Sequence, residues 1–101
     1  MKLFSVKYDG EAKDELEKAI LYYKNISTDL SKDFVSEFRK SLKIIKSNPS
    51  IFRIRKNKVR FSILNRFPYS IQYLVKDDCI YIMAVFHHKR NQKTVSKRLN
   101  K

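Results

Sequence analysis

The stretch RFPYSIQYLVKDDCIYIMAVFHHKRN, residues Arg66 to Asn91, decides the fold. Phe67-Pro68 makes a corner, after which Tyr69, Ile71, Tyr73 and Val75 alternate with Ser70, Gln72 and Leu74. A period of two is the signature of a strand. Lys76-Asp77-Asp78 is a tight turn, and the run CIYIMAVF that follows is apolar on both faces, as a central strand covered on both sides requires. The segment therefore predicts two adjacent strands that run into a basic end.

Working back toward the amino terminus, Val59, Phe61 and Ile63 alternate with Arg60 and Ser62 and predict a further strand. Before Asn48-Pro49 the period changes to that of a helix. Leu30, Phe34, Phe38, Leu42 and Ile45 trace one apolar stripe, and Ala12, Leu16, Ala19 or Ile20, and Tyr23 trace another from Glu11 to about Asn25. Glu11, Asp14, Glu15 and Glu17 crowd the start of the first helix, where negative charge complements the dipole. Ser27, Thr28 and Asp29 form a polar break with N-capping chemistry, so short that the two helices should lie antiparallel as a hairpin. Asn48-Pro49 ends the second helix, because a residue before proline avoids the helical region. Phe4, Val6 and Tyr8 alternate as a first strand, closed by Asp9 and Gly10. The expected order is β-α-α-β-β-β, an α+β fold with a helical hairpin packed on a small antiparallel-rich sheet.

The chain has 101 residues, 43% of them hydrophobic and 13% aromatic, enough for one domain with its own core. One Gly and two Pro leave little room for a linker, and no internal repeat occurs. A lone cysteine, Cys79, cannot form an internal disulfide, and it reads as a small core residue in a reducing setting. The opening MKLFSVKYDGEAKDE turns acidic before an apolar signal segment forms, and no stretch approaches the ~20 apolar residues of a membrane span. A cytoplasmic protein with no membrane partner is expected.

Net charge is +13, distributed unevenly. Residues 1–50 hold 10 Lys and Arg against 8 Asp and Glu, a net of +2, whereas residues 51–101 hold 13 against 2, a net of +11. Such asymmetry points to a polyanionic partner, either nucleic acid or an acidic protein surface. Two clusters carry it. Arg53, Arg55, Lys56, Lys58 and Arg60 lead into and along the strand at Val59, and His87, His88, Lys89, Arg90, Lys93, Lys97, Arg98 and Lys101 follow the last strand. Pairing in a sheet would join them into one patch suited to phosphates or carboxylates.

The signatures of several common enzymes are missing: a Gly-rich phosphate loop, a GxSxG elbow, a CxxC pair and an HExxH helix. His87 and His88 are adjacent, so on an extended strand end they point to opposite sides and do not join on one metal. Neither a metal nor another cofactor is expected. Either imidazole titrates near neutrality and suits a general acid or base.

The β-α-α-β-β-β order, the strand RFPYSIQY, the hairpin LVKDDCIYIMAV and the ending AVFHHKRN resemble the RelE/ParE superfamily of toxins from bacterial type II toxin-antitoxin modules. The resemblance spans nearly the whole chain. Short basic chains of this kind are similar to toxins named plasmid stabilisation proteins, whose growth inhibition is held off by an antitoxin encoded beside them. RelE-like members cut messenger RNA on the ribosome without a metal, whereas ParE-like members poison DNA gyrase.

RelE-like ribonucleases place lysines where this chain has Phe61 and Ile63, and an arginine where Ser70 stands. Some of them also use a late tyrosine, and no tyrosine follows Tyr81. Arg90 matches a RelE-like catalytic arginine, yet HHKRN also fits the HxxRN-like ending of ParE-like members, with Gln92 in place of the frequent proline. The resemblance thus favours the ParE-like branch, a gyrase inhibitor with no bond-making step of its own. It implies target binding by Arg60, His88, Lys89, Arg90, Lys93, Lys97 and Arg98. It implies capping by a cognate acidic antitoxin, in a hetero-oligomer, through Tyr22, Arg53, Arg55, Lys56 and Lys58. Core packing is the other reading for the neighbouring Tyr23. The alternative is a ribosome-dependent endoribonuclease acting on messenger RNA through Arg60, His88 and Arg90. A third reading is a basic nucleic-acid-binding module unrelated to toxicity, although the chain lacks RNP-type aromatic motifs and the strand order of common RNA-binding domains.

Overall fold

The computed structural model describes residues 4–88. Strand β1 (Ser5–Tyr8) leads into helices α1 (Gly10–Ile26) and α2 (Thr28–Ser47), a 3-10 turn at Pro49–Ile51, and strands β2 (Ile54–Lys56), β3 (Val59–Ile63), β4 (Tyr69–Lys76) and β5 (Cys79–His87). The sheet order is β1-β5-β4-β3-β2, with β1 parallel to β5 and the other pairs antiparallel. The expected α+β fold, two helices on a small antiparallel-rich sheet, is present.

Local chemistry explains the helix boundaries. Asp9 caps α1, its carboxylate accepting from the Glu11 amide at 3.2 Å. Ser27 alone separates the helices, serving both: its amide donates to the Tyr23 carbonyl at 2.8 Å, and its hydroxyl accepts from the Leu30 amide at 3.3 Å. A one-residue connection leaves the second helix no course but to fold back on the first. Ala12, Ala19 and Tyr23 of α1 meet Phe34, Phe38 and Ile45 of α2 above Tyr69, Ile71, Tyr73, Ile80, Ile82 and Val85 of the sheet. Phe34 is fully buried, with the rings of Tyr23, Phe67 and Tyr69 within 5.3 Å of its own.

The structure adds one strand to the four expected. Ile54–Lys56 pairs with β3 through a hairpin turn at Asn57 and Lys58, whose φ angles of 50° and 68° are those of a tight turn with both central residues left-handed. Three exposed residues at a sheet edge carry too little periodicity to be recognised as a strand before the pairing is known. Lys58 accordingly sits in the turn and not on a strand face. At the other hairpin Asp77 takes φ 57°.

Strand β5 is interior, as its two apolar faces require, and it carries a bulge. Gln72 pairs with Ala84 and Tyr73 with Ile82, so Met83 is the extra residue. Glu15 of α1 closes the irregularity, its carboxylate accepting from the Val85 amide at 3.0 Å. Cys79 is buried, in keeping with a small core residue. No helix among the described residues is long and apolar enough to cross a membrane.

Candidate functional site

The register of the sheet sorts the candidate residues by face. Tyr69, Ile71 and Tyr73 of β4 point toward the helices, and their cross-strand partners Ser62 and Arg60 share that side. Phe61 and Ile63 pair with Gln72 and Ser70 and occupy the helix-free face, continued across β5 by Ala84 and Phe86. The three positions at which RelE-like enzymes carry cations therefore come together on one face, as Phe61, Ile63 and Ser70. Ile63 is 47% exposed, while Ser70 and Gln72 are buried. Gln72 donates to the Ser70 hydroxyl at 3.3 Å, and its Oε1 is buried with no hydrogen-bond partner among the described residues.

The first basic cluster is divided by this geometry. Arg60 turns under the sheet, donating to the Phe52 carbonyl at 2.6 Å and to the Ser50 carbonyl at 3.4 Å. There it faces Tyr73, whose hydroxyl donates to the Pro49 carbonyl at 2.7 Å. Burial pushes the Tyr73 phenol up to about 12, and the nearby Arg60 charge partly opposes this. Arg55 goes the other way, its guanidinium lying 5.4 Å from the centre of the Phe61 ring on the helix-free face. Arg53, Lys56 and Lys58 are exposed along the β2 edge and its turn.

Of the second cluster, His87 and His88 lie within the described residues. His87 stacks edge-on against Tyr69 at 5.0 Å, on the helix side. His88 stands 6.4 Å from the Phe86 ring on the opposite face, and its amide donates to the Pro68 carbonyl at 2.9 Å. Burial, and second to it the charge of Arg55, hold the His88 imidazole below its ordinary value, which favours its neutral form. Arg55 and His88 are thereby brought near each other from positions 33 residues apart in the sequence. Lys89, Arg90, Lys93, Lys97 and Arg98 lie outside the described residues. No group of three or more His, Cys, Asp and Glu placed to hold a metal occurs among the described residues.

Tyr22 is 45% exposed, and with Leu21 and Ile26 it forms an apolar patch at the end of α1. Its ring packs edge-on against Tyr23 at 5.1 Å, while Tyr23 itself is core. Leu21 and Ile26 were outside the sequence expectation, although an apolar residue falling off a helix's buried stripe is a signal legible in the sequence.

No curated protein matches the chain. Among solved structures it is similar to a chain of the chromosomal ParDE toxin-antitoxin system from P. aeruginosa, with a TM-score of 0.71 and 22% identity, covering 84% of this chain and 96% of that one. That likeness shows the fold. A family model for the ParE toxin of the type II toxin-antitoxin system parDE matches residues 6–92, nearly the whole of the chain's length, and the chain belongs to that family.

Proposed function

We propose that this chain arrests bacterial growth by binding DNA gyrase in the cytoplasm, and that a cognate acidic antitoxin neutralises it in a hetero-oligomeric complex. One observation carries the choice of target: the helix-free face presents Phe61, Ile63 and Ser70 where a metal-independent ribonuclease of this fold needs cations to activate a 2′-hydroxyl and stabilise a developing phosphorane. A surface of this kind supports binding over phosphodiester cleavage. His88, Lys89, Arg90, Lys93, Lys97 and Arg98 are the residues assigned to the target, whereas Arg60, which donates to the Phe52 and Ser50 carbonyls, is assigned to holding the fold.

The antitoxin reading rests on two features. Leu21, Tyr22 and Ile26 are exposed apolar side chains at the end of α1, suited to the anchors of an amphipathic segment. Strand β2 lies at the edge of the sheet with Arg53, Arg55, Lys56 and Lys58 in and beside it, a position and charge that suit an extended acidic segment.

A second reading, cleavage of messenger RNA on the ribosome, is favoured by one specific observation. Burial and the nearby Arg55 charge favour the neutral form of His88, a combination that suits a general base beside a phosphate. Induction of the chain alone in a bacterium, with protein synthesis and DNA supercoiling followed together over the first minutes, separates the two. Failure of supercoiling before translation is the expected result. Prompt collapse of translation with cut messages would overturn the gyrase reading in favour of the nuclease.

A further inference from the structure

We propose that the outer face of α2 is a second polyanion-binding surface, separate from the sheet, that docks the sugar-phosphate backbone of a nucleic-acid duplex without reading its sequence. Lys32, Arg39, Lys40 and Lys43 line a shallow trough of about 500 Å³ on this face, with Ser31, Ser36 and Val35 between them. The four cations are exposed. From Lys32 to Lys43 is eleven residues, which places positive charge along roughly 16 Å of a straight helix axis.

Two of the three acids of α2 are drawn away from this face, and the third, Asp29, sits in the first turn. Asp33 pairs with the Arg66 guanidinium at 3.3 Å, and Glu37 accepts from the Arg66 amide at 3.1 Å. Both carboxylates thus sit on the flank that meets the loop before β4, and no ion pair joins any of the four cations to an acid among the described residues. The charge count by halves conceals the feature, because the eight acids of residues 1–50, three of them on α2 itself, offset it in a total of +2.

The chemistry of the face selects the occupant. An acidic peptide that folds on binding needs apolar anchors, and the lining of the trough offers Val35 alone. A single strand is held by stacking its bases on aromatic side chains, and the trough has none. Lysine, arginine and serine without aromatics are the set that contacts phosphate oxygens and sets position rather than sequence.

The test uses the full chain and a short fluorescein-labelled DNA duplex of arbitrary sequence, with anisotropy measured over a range of salt. Arg39→Gln with Lys43→Gln should weaken binding about tenfold and reduce the slope of log affinity against log salt by about 2, since each lost phosphate contact removes nearly one released counterion. Lys13→Gln with Lys18→Gln, an equal change in net charge on α1, should leave the slope unchanged, and Arg39→Lys should retain binding. Equal losses from both pairs, or none from either, would overturn the proposal. Loss of poly-glutamate binding with duplex binding intact would assign the face to an acidic peptide and overturn it as well. Unchanged unfolding midpoints for the variants separate these outcomes from misfolding.

Discussion

The Tyr73 hydroxyl donates to the Pro49 carbonyl at 2.7 Å, tying the middle of β4 to the turn that ends α2. Tyr73 has no exposed surface, so this bond forms in a medium of low dielectric where a carbonyl without a donor is costly. Tyr73→Phe should therefore destabilise the fold by about 1 to 2 kcal/mol, read as a lower urea midpoint at unchanged slope. The alkaline limb should change too. The Tyr73 phenol is raised to about 12 in the folded chain, so the unfolded chain ionises first. Wild-type stability is fully present below about pH 10 and falls as pH rises toward about 12. Tyr73→Phe should lose that part of the alkaline dependence.

Arg60 is the candidate whose role most needs separating from structure. Its guanidinium holds the Phe52 and Ser50 carbonyls together, and charged hydrogen bonds of this kind contribute roughly 1.5 to 3 kcal/mol. Arg60→Ala should lower the thermal midpoint by several degrees, and any loss of growth arrest should track the loss of folded protein. Growth arrest abolished in a variant with an unchanged midpoint would place Arg60 in target recognition.

The two causes acting on His88 can be told apart. Removing the Arg55 charge with Arg55→Gln should raise the His88 pKa measured by NMR titration, but short of an ordinary imidazole, because burial is the larger cause. A folded pKa below the unfolded one means that neutral His88 favours the fold above about pH 6.5 and that this contribution is lost as pH falls through the folded value. Arg55→Gln should shrink that acid-side loss. An unmoved His88 titration would mean the two groups are not coupled.

Gln72 is buried with an amide oxygen that accepts from nothing among the described residues. Its one hydrogen bond, to Ser70, is worth less than the cost of the orphaned acceptor. Gln72→Met, similar in volume, should stay within about 1 kcal/mol of the wild-type stability or exceed it. A loss above about 2 kcal/mol would mean that the amide has a partner in solution, a buried water being the usual one.

Both helices, their caps and the four longer strands were legible in the sequence because each depends on neighbours in the chain. A stripe at steps of three and four, a Ser between two helices, a proline after Asn48 and a period of two after Pro68 act over a few residues. The resemblance of the segment from Arg66 to Asn91 likewise pointed to the toxin family that the matched model establishes. The fate of individual charged side chains was not legible. Arg55 and Arg60 come from one basic run, yet the irregular pairing of β2 with β3 sends one over Phe61 and the other beneath the sheet. The His88 imidazole is held below its ordinary value because the end of β5 brings it to a partly buried position near Arg55, which is distant in sequence. The lone acceptor of Gln72 and the bridging of the β5 bulge by Glu15 are set by register between strands and by helix docking. The sequence by itself therefore determined the elements and their order, whose causes are local. Only the tertiary structure decided which cations face a partner and which hold the fold, because that choice rests on pairing between residues far apart in the chain.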